Sequence, residues 1–124
     1  SIIKEPISNP FDKVAAQLRS FLALQYDWDG YGGITPSYAT VKSAMTLLEQ
    51  IRSFSLKAPK TMISGEGDIS LYWQVDDLYI EANIDENNVF SYLIDDKKHP
   101  HGSENSHNNL IACEKLLDAI SSIS

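Results

Sequence analysis

Ile69-Ser70-Leu71-Tyr72-Trp73-Gln74-Val75-Asp76-Asp77-Leu78-Tyr79-Ile80-Glu81-Ala82-Asn83-Ile84 decides the fold. On either side of Asp76-Asp77, apolar residues recur at every second position, the spacing of a half-buried strand. Two residues between such runs read as a hairpin turn, although Asp-Asp is a weaker turn former than Asn-Gly. A two-residue turn also fixes the register. Val75 then faces Leu78, Gln74 faces Tyr79, Trp73 faces Ile80, Tyr72 faces Glu81, and Leu71 faces Ala82. Apolar residues meet on one face; polar and tyrosyl residues meet on the other.

The sheet extends both ways from this hairpin. Residues 60–64 form a short first strand, followed by turn residues Gly65-Glu66-Gly67-Asp68. Asp85-Glu86-Asn87-Asn88 leads into a fourth strand over 89–94. Direct pairing puts Val89, Ser91 and Leu93 on the core face, with Phe90, Tyr92 and Ile94 on the second face. A bulge in the loop would reverse that facing.

Two helices precede the sheet. Asn9-Pro10 is a cap followed by a proline preset to helical φ, with Asp12 at the positive end of the dipole. Phe11, Val14, Ala15, Leu18, Phe21 and Leu22 form one stripe, so the first helix runs to about Leu24 or Gln25. Thr35-Pro36 repeats the start signal. Tyr38, Val41, Ala44, Met45, Leu48, Ile51 and Arg52, widened by Leu47 and Phe54, carry a second helix to about Phe54 or Ser55. A third helix follows from Leu110, Cys113, Leu117 and Ile120, with Ile111 and Leu116 beside them and a cap at Ser106 or Asn105. The predicted fold is a single α+β domain over 1–124, of order α-α-β-β-β-β-α. A helical hairpin and a C-terminal helix pack on a four-stranded antiparallel meander.

Composition narrows the function. The chain has 124 residues and a net charge of −7. Nine of its acids, and no Lys or Arg, fall between Thr61 and Asp96. Such a segment repels nucleic acid, whose binding needs Lys and Arg on phosphates, and attracts a basic protein. The plainer reading is that the acids keep a small domain soluble. The lone cysteine, Cys113, reads as a buried small hydrophobe and suits a reducing compartment. No apolar run is long enough for a membrane span and no N-terminal signal is visible, so the expected location is cytoplasmic.

Candidate chemistry is sparse. Tyr72, Gln74, Tyr79, Glu81 and Tyr92, near Phe90 and Asn83, would form an aromatic, acidic sheet face with Asp76 and Asp77 at its rim. Alternatively, a helix covers this face and the rings are core. Asp27-Trp28-Asp29-Gly30-Tyr31-Gly32 begins like a calcium loop. Counting from Asp27, however, position five is Tyr31 and position twelve is Tyr38, where such a loop needs a bidentate Glu. Its structural reading has Trp28 packed back on the helix hairpin, Asp27 or Asp29 bonded to loop amides, and glycines at positive φ. The polar stretch 95–108 reads as a surface loop, whose His99, His101 and His107 have zinc-ligand chemistry but lack a fourth ligand. Neither a Gly-x-Ser-x-Gly elbow, a P-loop nor a His-Glu-x-x-His motif occurs.

Trp28-Asp29-Gly30-Tyr31-Gly32-Gly33 followed by Thr35-Pro36-Ser37, with Gly67-Asp68-Ile69-Ser70-Leu71-Tyr72-Trp73 downstream, resembles small uncharacterised bacterial proteins. Those proteins carry a Trp-Asp-Gly-Tyr-Gly-Ala loop and a Gly-x-Ile-x-Leu-x-Trp strand. The likeness covers about residues 15–95 and departs at Gly33, where Ala is usual. It implies a bacterial or phage origin and transfers no catalytic residue. The expectation is therefore a non-enzymatic module, of the antitoxin, immunity or phage-inhibitor kind, without cofactor or metal. It would bind a basic protein such as a toxin or nucleic-acid-binding protein. A small-molecule or metal site in the 27–33 loop is the alternative, and a homodimer a third reading.

Overall fold

A computed structural model of the chain describes residues 9–97, 103–105 and 114–124. Helix α1 spans Pro10–Ser20, α2 Tyr38–Ser53 and α3 Glu114–Ser121. The strands are β1 Lys60–Ile63, β2 Ile69–Val75, β3 Leu78–Ile84, β4 Phe90–Asp96 and β5 Ser103–Asn105. They form one antiparallel sheet in sequence order. The architecture is the α+β arrangement read from the sequence, with a short fifth strand added outside the meander. That strand corrects the reading of 95–108 as loop throughout: β4 continues to Asp96, and Asn105, proposed as a helix cap, belongs to β5. Residues 1–8, His99, His101, Ser106, His107, Leu110, Ile111 and Cys113 lie outside the described residues.

The helix starts follow capping chemistry. The Asn9 side chain accepts a hydrogen bond from the Phe11 amide at 2.9 Å, with Pro10 at the first helical position. α1 tightens into a 3-10 turn over Phe21–Ala23. α2 starts two residues later than the Thr35-Pro36 signal predicts. Its cap is Ser37, whose hydroxyl accepts from the Thr40 amide at 3.1 Å. Thr35 and Pro36 are instead part of the approach to the helix, where Ile34 bridges to Glu66.

The β2–β3 register is the one the two-residue turn dictates, with Val75 opposite Leu78 and Leu71 opposite Ala82. Asp76 sits at positive φ, 51°, an αL position that a short polar side chain tolerates. Ile69, Leu71 and Trp73 from β2 and Ile80, Ala82 and Ile84 from β3 are buried. Leu18 from α1, Val41, Leu48 and Ile51 from α2, and Leu116 and Ile120 from α3 join them in one core. All three described helices thus lie on one face of the sheet. Trp73 completes the corner by donating its indole N–H to the Lys57 carbonyl at 2.9 Å.

β4 faces opposite to the direct-pairing expectation. Ile84 pairs with Phe90 rather than Val89, so one extra residue sits in the loop. Asn88 takes φ 65°, its amide donates to the Asp85 carbonyl at 2.9 Å, and the Asp85 amide donates to the Val89 carbonyl at 3.0 Å. This is a turn closed by an αL residue and a bulge, the alternative that reverses a strand. Phe90 and Tyr92 consequently enter the core at 1% and 6% exposure, while Val89 stands 37% exposed in the loop. Ser91 and Leu93 turn to the second face. Phe90→Ala is expected to cost about 3–5 kcal/mol of stability and Val89→Ala less than about 1 kcal/mol in denaturant titrations. The direct-pairing register predicts the opposite ranking.

Candidate functional site

The second face is built by the residues between the core positions. Lys60 and Met62 come from β1, Ser70, Tyr72 and Gln74 from β2, Tyr79, Glu81 and Asn83 from β3, and Ser91, Leu93 and Asp95 from β4. Four of the proposed contact residues therefore meet there: Tyr72, Gln74, Tyr79 and Glu81. Tyr92 does not join them, because the β3–β4 bulge carries it into the core. Met62, Ser91 and Leu93 were not anticipated on this face. The sign for Ser91 and Leu93 was Asn88, an αL-tolerant residue at the end of a loop long enough for a bulge. Met62 depends on the β1 alignment, which four residues of strand pattern do not specify.

The face is knitted together locally. The Tyr79 hydroxyl donates to Glu81 Oε1 at 2.7 Å, and the Tyr72 and Tyr79 rings lie 6.2 Å apart, tilted by 32°. Tyr72 is directly opposite Glu81 and diagonal to Tyr79, so the three form one cross-strand cluster. Ser70 Oγ donates to Asn83 Oδ1 at 2.9 Å. Gln74 is more occupied than its pattern suggests: its amide donates to the Asp76 and Leu78 carbonyls and braces the hairpin turn. Asp76 and Asp77 are exposed in that turn, at the end of the face.

Partial burial, followed by the hydrogen bond to Glu81 and the negative charges of Glu81 and an ionised Tyr72, pushes the Tyr79 phenol above its ordinary value of 10.0. Its O–H thus stays a donor throughout neutral and mildly alkaline conditions, holding one oxygen of Glu81 in place. This arrangement supports recognition better than acid–base chemistry, which wants a group titrating near the working pH.

The 27–33 loop spends its polar groups on itself. Asp29 Oδ1 accepts from the Tyr31 and Gly33 amides, both at 2.9 Å, and Asp27 Oδ1 accepts from the Gly32 amide at 2.5 Å. Asp27, Gly30 and Gly32 all have positive φ. A β-carbon on Gly33 would lie 2.6 Å from Asp29 Oδ1, so in this chain the carboxylate occupies the space an alanine would need. The Ile34 amide donates to the Gly65 carbonyl at 2.8 Å, fastening the loop to the β1–β2 turn. The expectation that Trp28 packs on the helix hairpin is corrected. Trp28 is half-buried, outside the hydrophobic core cluster, and donates its indole N–H to the Ile34 carbonyl at 3.2 Å. Tyr31 stands 92% exposed at the tip.

Among the described residues, no three His, Cys, Asp or Glu side chains come together as metal ligands, and no helix is long and apolar enough to cross a membrane. The chain matches no family model, no curated protein and no solved structure.

The raised Tyr79 pKa has a definite pH consequence. The folded state holds this proton more tightly than the unfolded chain, so its contribution is full below about pH 10 and is lost as pH rises through the folded value. A spectrophotometric tyrosine titration of the folded protein is expected to leave one more phenol un-ionised at pH ~11 than a titration of Tyr79→Phe counts against its own total. Equal un-ionised counts would contradict the Tyr79–Glu81 arrangement.

Proposed function

We propose that the protein is a non-enzymatic binding module that docks a basic protein partner on the second face of its sheet. The supporting observation is that all three described helices pack on the opposite face, leaving Tyr72, Tyr79, Glu81 and Leu93 half-buried beside exposed Gln74 and Asp95. A half-buried tyrosine pair braced by a carboxylate offers contact area and hydrogen bonds at little cost in side-chain freedom, the composition of an interface hot spot. The acids of 61–96, with Asp76 and Asp77 at the rim, give the partner its sign: it is cationic.

Excess negative charge and absence of a recognised catalytic motif in this sequence fit an antitoxin, an immunity protein or a phage-type inhibitor acting in the cytoplasm on a toxin or nucleic-acid-binding protein. The resemblance of the Trp28–Gly33 segment to bacterial proteins points to the same setting. In this reading the 27–33 loop is structural, its two carboxylates already committed to loop amides.

The test begins with capture of a partner from bacterial lysate and proceeds to association kinetics on the purified pair. Reversing Asp76 and Asp77 to Lys is expected to slow association about tenfold at low salt. The difference should vanish near 1 M salt, where the Debye length is about 3 Å. Tyr79→Ala should instead speed dissociation. A partner indifferent to both changes would remove this reading.

A further inference from the structure

The second face is not flat. It holds a depression of about 400 Å³ whose lining includes Met62, Asp68, Ser70, Glu81, Asn83 and Ser91. That volume lies near the lower bound for ligand pockets, enough for one long side chain and too little for a folded element.

The lining is rich in acceptors. Glu81 gives Oε1 to the Tyr79 hydroxyl at 2.7 Å, and Oε2 has no hydrogen bond among the described residues. Asp68 Oδ1 accepts from the Ser64 hydroxyl, and Asn83 Oδ1 from Ser70 Oγ at 2.9 Å. Each polar group is therefore oriented by a neighbour and retains further acceptor capacity, since a carboxylate has about four lone-pair sites and an amide oxygen two. Asp68 and Glu81 are both half-buried, and no described residue in the lining carries a positive charge. Lys60, at the start of β1, pairs across from Tyr72 and is not part of the lining.

Such a cavity calls for an occupant that donates, does not accept, and is cationic. A guanidinium meets all three requirements: five N–H donors in one plane, no acceptor, and a fork that matches a carboxylate. It is also more weakly hydrated than an ammonium, so entering a partly buried pocket costs it less. Met62, 40% exposed at the edge, supplies an apolar wall for the aliphatic stem of an arginine.

We propose that this depression is the docking site for an arginine side chain of the partner. The inference rests on the reading of the second face as a docking surface and narrows it from a basic partner to one that presents an arginine. Its position also gives the Tyr79–Glu81 hydrogen bond a purpose: it aims a carboxylate that would otherwise sample several rotamers.

The experiment is an NMR titration of ¹⁵N-labelled protein with Nα-acetyl-arginine amide and, separately, Nα-acetyl-lysine amide. The arginine derivative is expected to give saturable shifts at the amides of Ser70, Glu81, Asn83 and Ser91, with the lysine derivative weaker. Glu81→Gln and Asp68→Asn should each weaken arginine binding about tenfold, the loss for one charge-assisted hydrogen bond. Reversal of Asp76 and Asp77 to Lys should leave it within about twofold, because the rim acts through screened long-range attraction. Non-saturating shifts, equal affinity for the two derivatives, or wild-type affinity in Glu81→Gln would overturn the proposal. The two readings separate cleanly. Partner binding that survives Tyr79→Ala and the rim reversal removes the docking surface while a saturable arginine shift retains the pocket, and the converse pair of results removes the pocket alone.

Discussion

Ser43 Oγ donates to Asn88 Oδ1 at 2.6 Å, and Thr40 Oγ1 donates to the Asp85 carbonyl at 3.1 Å. These two bonds, between the first turns of α2 and the β3–β4 loop, are where the molecule's two layers are registered. Thr40 and Ser43 are themselves buried, so neither hydroxyl has water as a ready substitute. The loop they grip is braced from within by Asp85, whose Oδ1 accepts from the Asn87 and Val89 amides at 2.9 and 2.8 Å. With Asn88 held at positive φ, the bulge follows, Phe90 and Tyr92 enter the core, and Ser91 and Leu93 turn outward. A one-residue slip would exchange those sets and place two aromatics on the second face.

The acids of the 61–96 segment divide by role once placed. Asp85 supports its own turn, and Asp68 supports the β1–β2 turn through Ser64. Asp27 and Asp29, outside the segment, do the same for the loop before α2. Asp85, Asp27 and Asp29 satisfy backbone donors in tight turns, while Asp68 accepts from the Ser64 hydroxyl. Glu81 is different. It sits mid-strand, half-buried, beside two tyrosines, where an acid has no turn to support. Its partner is a phenol whose proton it helps retain, and the pair lies on the face proposed for docking.

Much of the architecture was legible from the chain. Period-two alternation around Asp76-Asp77 specified the hairpin down to each facing pair, because two residues leave only one way to close. The helices were legible from their stripes, although the α2 start was misplaced: Ser37 outcompeted Thr35 because Ile34 is drawn into a bridge with Glu66, keeping Thr35 and Pro36 outside the helix. The facing of β4 was not legible. It turns on one αL residue, Asn88, and on the α2 hydroxyls that hold it, a contact 45 residues apart in sequence. The same blind spot misplaced Tyr92 and hid Ser91. Trp28 misled for another reason: a tryptophan beside glycines suggests core, whereas here its N–H closes a loop.

One sheet face is buried under the described helices, and the other is the face proposed to receive a partner. Relaxation enhancement of methyl groups by a soluble gadolinium chelate measures this directly in the free protein. The account predicts strong broadening of Met62 and clear broadening of Leu93, with Leu71, Ile80 and Ile84 protected. Protection of Met62 and Leu93 equal to that of Ile80 would contradict it, since the second face would then be covered and unavailable to a partner.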